Sequence, residues 1–268
     1  MLIVAQCSTI PQQDLPNVAE NLVLQLACSR LGVAFATAKD AKVLAKLDDA
    51  GANILGAVTA DTDGFLAGAP LEAHINDEEL NALFDADAGA GAGAGDIAEE
   101  DAHAYFNSPN ALTNAAILEQ GADAAARLGL TEDDKLCVSI TLCHAFGIGS
   151  ACAGAFLSGA AVVLPAVGGI RGCGVPSQRA EATLETLAGE RCSVLFADTH
   201  TLKALPADAD ADLGALRAGV VKIGSGTDFL DETREYAGVT LATLGKKGGG
   251  GGHGHGHSHG HGHSHSHG

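Results

Sequence analysis

Apolar positions along the first third of the chain switch between two periods. In "LPNVAENLVLQLACSRLG" Val18, Leu22, Leu26 and Leu31 fall on roughly one helical face, and Gly32 stands where a helix C-cap belongs. "VAFAT" (33–37) predicts a short buried strand, Asp40 can cap a second helix over "AKVLAKLDDAG", and "NILGAVTA" predicts another strand. An α-β-α-β order of this kind predicts a parallel sheet covered by helices.

The pattern then lapses. "NDEELNALFDADAGAGAGAGDIAEEDA" offers a short acidic helix at most, followed by an Ala/Gly repeat. A phosphate cradle needs a strand before its glycines and a helix after them, and "GAGAGAG" has neither, so it reads as a linker. Alternation resumes at "SPNALTNAAILEQGADAAARLGLT", a helix that Gly129 ends. "KLCVSITLC" (135–143) is apolar enough for a strand buried on both faces. "GIGSACAGAFLSG" predicts a helix with a small-residue face and "AAVVLP" the next strand. Ser177 can cap "QRAEATLETLAGE", and "CSVLFAD" (192–198), "THTLKALPA" and "AGVVKIGSG" predict a strand, a short helix, and a final strand and turn. The expected architecture is α/β, with two lobes of parallel βαβ units and right-handed crossovers. The first lobe spans 1–84, an acidic Ala/Gly-rich linker 85–104, the second lobe 105–245, and a disordered Gly/His-rich tail 246–268.

Residues 136–170 contain no Asp, Glu, Lys or Arg. A membrane helix needs about twenty uninterrupted, mainly apolar residues. Gly147, Gly149, Gly154, Gly159 and Pro165 break this run and His144 sits inside it, so strand, helix and strand in a core are expected, without a transmembrane segment. A formal net charge of −18 argues against nucleic acid and anionic membranes as partners, and reads as a solvated acidic surface. Cysteines at 7, 28, 137, 143, 152, 173 and 192 form no CxxC pair, so neither a zinc nor a redox motif is suggested. Within apolar runs they act as small hydrophobes, which fits a reducing compartment such as the cytosol or the mitochondrial matrix. No basic residue precedes Arg30, so neither a secretory leader nor an Arg-rich presequence is expected.

The second half carries a resemblance. "AAARLGLTEDDKLCVSITLCHAFGIGSACAGAFLSGAAVVLP" has a helix ending in L-G-L, a strand, a turn, a helix and an apolar strand closing on Pro. In that order it resembles the central part of the adenylate-forming acyl-CoA synthetase (AMP-binding) family, whose F-H-x-x-G-like turn stands where "CHAFG" stands here. The resemblance continues through "AEATLETLAGERCSVLFADTHTLKAL" and "DLGALRAGVVKIGSGTDF", similar to the family's D-L-x-x-L-R strand and its Gly-rich adenine-side turn. A weaker likeness in "LACSRLGVAFATAKDAKVLAKLDDAGANIL" extends it over most of residues 17–230.

The departures set the functional expectation. The family's phosphate loop, rich in Ser, Thr and Gly and ending in Pro-Lys, should precede the long helix. "AYFNSPNALTN" stands there, without Gly or Lys, and supplies neither the N–H nest nor the cation a triphosphate requires. The sequence also holds no Y-G-x-T-E segment, ribose-binding Asp, or C-terminal lobe with its catalytic Lys. The resemblance thus implies a truncated, degenerate form without adenylation activity, because each missing electrostatic element supports about several kcal/mol of the barrier reduction. Catalytic residues are expected to be none, no cofactor is required, and AMP or ATP binding is doubtful.

His144 matches the His at the mouth of the family's acyl pocket, and it equally fits a His satisfied at a strand end. Gly224, Ser225, Gly226 and Thr227 match the adenine-side turn, and equally fit an ordinary turn after a strand. In the tail His253, His255, His257, His259, His261, His263, His265 and His267 alternate with Gly or Ser and can wrap Zn²⁺, Ni²⁺ or Cu²⁺, whether as an engineered tag or a natural tract. Three functions are open. The first is a non-catalytic accessory or scaffold subunit bound to other proteins in a larger, mitochondrial respiratory type of assembly. The others are a ligase fragment completed by another chain, and a divalent-metal handling protein.

Overall fold

The computed structural model describes residues 2–6, 17, 19–30, 34–38, 54–59, 98, 100–106, 110–165, 175–207 and 211–247. The expected helix over 40–51, the Ala/Gly repeat and the His-rich tail lie outside the described residues. The first sheet has five strands: β1 (Leu2–Gln6), β2 (Ala34–Ala38), β3 (Ile54–Thr59), β4 (Ala102–Phe106) and β5 (Leu112–Thr113). Their order is β3-β1-β2-β4-β5, parallel throughout except for the β4–β5 pair. Residues 102–106, divided by the sequence pattern between linker and second lobe, thus complete the first sheet.

Helix α1 (Ala19–Arg30) runs between β1 and β2, but its buried face is not the apolar stripe that the spacing predicts. Leu22 and Cys28 are buried together with Asn21 and Gln25, whereas Leu26 is 42% exposed. The inward face carries amides because it meets backbone. Asn17 Oδ1 accepts from the Leu142 N–H at 2.9 Å, and its Nδ2 donates to the Ile140 carbonyl. Gln25 Nε2 donates to the Leu142 carbonyl at 3.3 Å and to Asn21 Oδ1 at 3.0 Å. These bonds fasten the first βα unit to the loop after β6.

The second sheet has six strands in the order β10-β11-β9-β8-β6-β7. Helix α2 (Asn114–Leu128) leads into it; Thr113 Oγ1 accepts from the Ala116 N–H at 3.2 Å at its start, and Gly129 ends it in the left-handed conformation at φ 57°. Strand β6 (Lys135–Ser139) is shorter than the expected 135–143. The next segment is helical, yet Phe146–Ala153 (π1) is π-helical and only Gly154–Ser158 (α3) is α-helical. Strand β7 (Ala161–Val163) follows, then α4 (Pro176–Gly189), which starts one residue before Ser177. Ser177 is therefore not the cap; Pro176, whose ring presets a helical φ, opens the helix after extended Val175. Strand β8 (Val194–Asp198), helix α5 (Thr199–Ala204) and strand β9 (Ala218–Lys222) continue the parallel part. Beyond the expected final turn, β10 (Asp228–Tyr236) and β11 (Val239–Gly245) form an antiparallel hairpin. Ala237 and Gly238 both have positive φ, 48° and 75°, which is the two-residue turn that suits strand twist.

Alternate strand residues feed two cores. Leu136, Val138, Phe196 and Val220 pack with Phe146 and Ile148 on the face under α2 and π1. Cys137, Leu195, Ala197 and Val221 pack with Ala180 and Leu187 of α4 on the other. Both faces of the strands are covered, which explains their near-continuous apolar runs. No helix among the described residues is long and apolar enough to cross a membrane. Cys28, Cys137, Cys143, Cys152 and Cys192 are buried.

Candidate functional site at the carboxyl edge of the second sheet

From β6 the chain crosses to β7 on one side and then, through α4, to β8 on the other. In open α/β sheets ligands bind in the crevice outside the strand ends where the crossovers reverse. Here the carboxyl edge of the sheet carries the loop after β6 with His144, the end of β8 with Asp198 and Thr199, and the end of β9 with Lys222 and the turn Gly224–Thr227.

The α1 amides set the loop. Besides the Asn17 and Gln25 bonds, Asn21 Nδ2 approaches Cys143 Sγ at 3.6 Å, and the Cys143 N–H donates to Thr141 Oγ1 at 3.2 Å. The next residue, His144, is exposed. Its Nδ1 accepts from the Phe146 N–H at 3.1 Å and its carbonyl accepts from the Ile148 N–H at 3.1 Å, so His144 caps π1. That capping bond assigns the ring proton to Nε2, which leaves a donor for a ligand. Proton affinity at His144 is lowered, first by desolvation around the ring and second by the charge of Lys222.

Lys222 was not singled out by the sequence. It is buried, and Nζ has no hydrogen-bond partner, while its carbonyl accepts from Thr199 Oγ1 at 2.9 Å. Burial lowers its pKa to about 8, partly offset by the Asp228 carboxylate. The group still carries its proton at pH 7, so a buried ammonium without a hydrogen bond stands at the end of β9, a costly state.

The other polar groups there are spent on structure. Arg179 Nη1 donates to the Ser139 carbonyl at 3.4 Å and lies 4.0 Å from Asp198 Oδ2. Asp198 Oδ1 caps α5 by accepting from the Thr201 N–H at 2.7 Å. Thr183 donates to the Arg179 carbonyl at 2.6 Å, so its single hydroxyl proton is used and Ser139 must donate in the 2.5 Å Ser139–Thr183 contact. In the turn, Gly224 and Gly226 have φ of 121° and 87°. A Cβ at Gly226 would lie 2.6 Å from the Gly245 carbonyl oxygen, whereas Gly224 faces open space beside exposed Ser225, with half-buried Thr227 following. A side chain at Gly226 is thus excluded by the neighbouring main chain, while Gly224, Ser225 and Gly226 are all exposed.

The structure brings His144, Lys222 and the 224–227 turn to one edge. Where the resemblance implied a phosphate loop, short β5 enters α2 directly and the helix start is capped by Thr113. Among the described residues no three His, Cys, Asp or Glu side chains converge as a metal-binding group. The eight tail histidines lie outside the described residues.

No protein-family model matches the chain, and no curated protein does. Solved structures do. The nonribosomal peptide synthetase FmoA3 aligns with a TM-score of 0.58 at 16% identity, over 92% of this chain and 26% of its own. A benzoate CoA ligase from Burkholderia xenovorans LB400 gives 0.54 at 18% identity, over 84% and 46%. The O-succinylbenzoate coenzyme A synthetase from Bacillus subtilis gives 0.55 at 17% identity, over 84% and 46%. The fold is therefore that of the N-terminal part of AMP-binding, adenylate-forming synthetases, and the chain spans about half or less of the length of these neighbours.

Proposed function

We propose that this chain is a non-catalytic synthetase-like module that holds a small carboxylate at the carboxyl edge of its second sheet and serves as an accessory subunit of a larger assembly. The observation that carries this reading is the buried ammonium of Lys222, without a hydrogen-bond partner, at the same carboxyl edge of the sheet as His144. Ammonium, the Nε2–H of His144 and the exposed Gly224–Ser225 turn suit one compact anion. The replaced phosphate loop supports the absence of adenylation: residues 107–113 contain no Gly and no Lys. The accessory role is our reading of a synthetase-like fold in which that loop is replaced.

Calorimetry of the full chain with benzoate, succinate and ATP–Mg²⁺, beside a pyrophosphate-exchange assay, tests the reading. A carboxylate should bind at pH 7, lose about tenfold or more in Lys222→Met, and weaken as pH rises past about 8, where Lys222 loses its proton. ATP should show no micromolar binding. Exchange above a protein-free control would overturn the non-catalytic reading, and carboxylate affinity unchanged in Lys222→Met would overturn the site.

A further inference from the structure

The main chain just beyond β6 has lost its strand partners. Strand β6 pairs with β7 as far as Cys137 and with β8 as far as Ser139, and among the described residues no strand pairing continues past that point. Yet Ile140, Thr141, Leu142 and Cys143 are all buried. Their N–H and C=O groups are cut off from water and need partners from elsewhere.

Side-chain amides supply them. Asn17 Nδ2 donates to the Ile140 carbonyl, and its Oδ1 accepts from the Leu142 N–H at 2.9 Å. A residue in a parallel strand makes the same pair of bonds with its main chain, donating to one carbonyl and accepting from the N–H two residues on. Asn17 thus stands in for one residue of the absent strand. Gln25 Nε2 adds a bond to the Leu142 carbonyl at 3.3 Å, and Asn21, which accepts from Gln25, reaches Cys143 Sγ at 3.6 Å. Asn21 and Gln25 are fully buried, and Gln25 Oε1 has no hydrogen-bond partner. Apolar residues at 21 and 25 would avoid that orphaned oxygen, so packing does not account for the amides, whereas the bonds to 140–143 do.

The segment they hold leads directly into His144. That residue is exposed, so the aim of its ring comes from the main chain before it and from the bond between its Nδ1 and the Phe146 N–H. We infer that Asn17, Asn21 and Gln25 are positioning residues that fix the loop after β6 and so aim the Nε2–H of His144 at the carboxyl edge. Resting on the carboxylate reading above, this makes the first βα unit the element that regulates the candidate site of the second sheet. Anything that shifts α1 should change ligand affinity without touching a ligand.

The test reads the His144 ring by nitrogen NMR of isotope-labelled histidine in the full chain, in metal-free buffer, with its signals assigned by their loss in His144→Asn. The unmodified chain should show the Nε2–H tautomer that the Phe146 N–H bond selects. In Asn17→Ala and Gln25→Met the ring should become a mixture of tautomers, and its pKa should rise toward the ordinary histidine value as it turns out to water. Benzoate or succinate should bind these variants about fivefold more weakly, the size of one net hydrogen bond. Asp134→Asn, at the opposite end of β6, should lower stability yet leave the ring and the affinity as they were. If both amide variants keep the unmodified tautomer and affinity, or Asp134→Asn shifts them equally, the inference is overturned. No carboxylate binding in the unmodified chain would overturn the proposed function instead, and the ring signals would still decide whether the amides aim His144. If Gln25→Met does not fold, Asn17→Ala, at a half-buried position, decides alone.

Discussion

Arg217 ties together three elements with one side chain. Its Nε and Nη2 grip Asp134 at 2.9 and 2.5 Å, while Nη1 and Nη2 reach the Leu128 and Gly129 carbonyls at 2.9 and 3.0 Å. The end of α2, the start of β6 and the start of β9 are thereby locked. Burial alone would raise the Asp134 carboxyl, but hydrogen bonds from Arg217, Ser193 and the Thr131 N–H, with the Arg217 charge, outweigh it and hold the group at about 2. A folded pKa below the unfolded value of 3.8 contributes stability that is complete above that value and lost as pH falls from there through about 2. Asp134→Asn should cost about 1–3 kcal/mol at pH 7, toward the lower end because Arg217 is 42% exposed and water screens the pair. Urea denaturation at pH 7 and pH 3 checks this: the gap between variant and wild type should narrow at the lower pH, and an unchanged gap would refute the assignment. The "DLGALR" segment was legible as a strand entry, but its partner lies 83 residues away, a distance over which local pattern carries no information.

At the scale of elements, π1 and α2 meet through residues that have no room for more atoms. A Cβ on Gly147 would stand 2.2 Å from the Thr141 carbonyl oxygen, and one on Gly121 2.8 Å from the Ala153 backbone, so both positions are closed by main chain. A Cβ on Gly149 would instead meet Gln120 Oε1 at 2.6 Å, the far end of a side chain that can swing away. Gly147→Ala should therefore destabilise by about 1–3 kcal/mol, as overpacking does. Gly149→Ala should stay within about 1 kcal/mol, helped by the better helical propensity of Ala. Thermal melts of the two variants test the contrast, and equal losses would count against this packing. The small-residue face was legible in "GIGSACAGAFLSG", as were the strands at 34–38, 54–59, 135–139 and 194–198, because each carries its own apolar run. The π-helical winding was not, since the same spacing serves an α-helix. Nor was the β10–β11 hairpin: "DFLDETREY" buries only its ends and turns on Ala237–Gly238 rather than on an Asn-Gly pair.

For the whole molecule, the candidate site drew on sequence only where resemblance pointed, at His144 and residues 224–227. Lys222 hid inside the strand pattern of "VVKIG". The amides Asn17, Asn21 and Gln25, spaced four apart on a face where apolar residues were expected, were a signal that went unused. One property of the chain lies outside the described residues. Eight histidines from His253 to His267 follow a run of five glycines at 248–252. Imidazole binds metal only when neutral, and its unperturbed pKa of about 6.5 makes protons compete as pH falls. The full chain should bind divalent ions at pH 7.5 and release most of them near pH 5. Gly and Ser impose no fixed geometry, so affinity should follow the intrinsic order, with Cu²⁺ ahead of Ni²⁺ and Zn²⁺. Removing residues 248–268 should abolish this binding, since no metal-binding group forms among the described residues, and should leave the melting temperature in metal-free buffer unchanged. Metal titrations of both chains at the two pH values, with melting followed in parallel, decide the matter. Metal retained by the shortened chain would move the site into the folded body, and an earlier melt would show that the tail stabilises it.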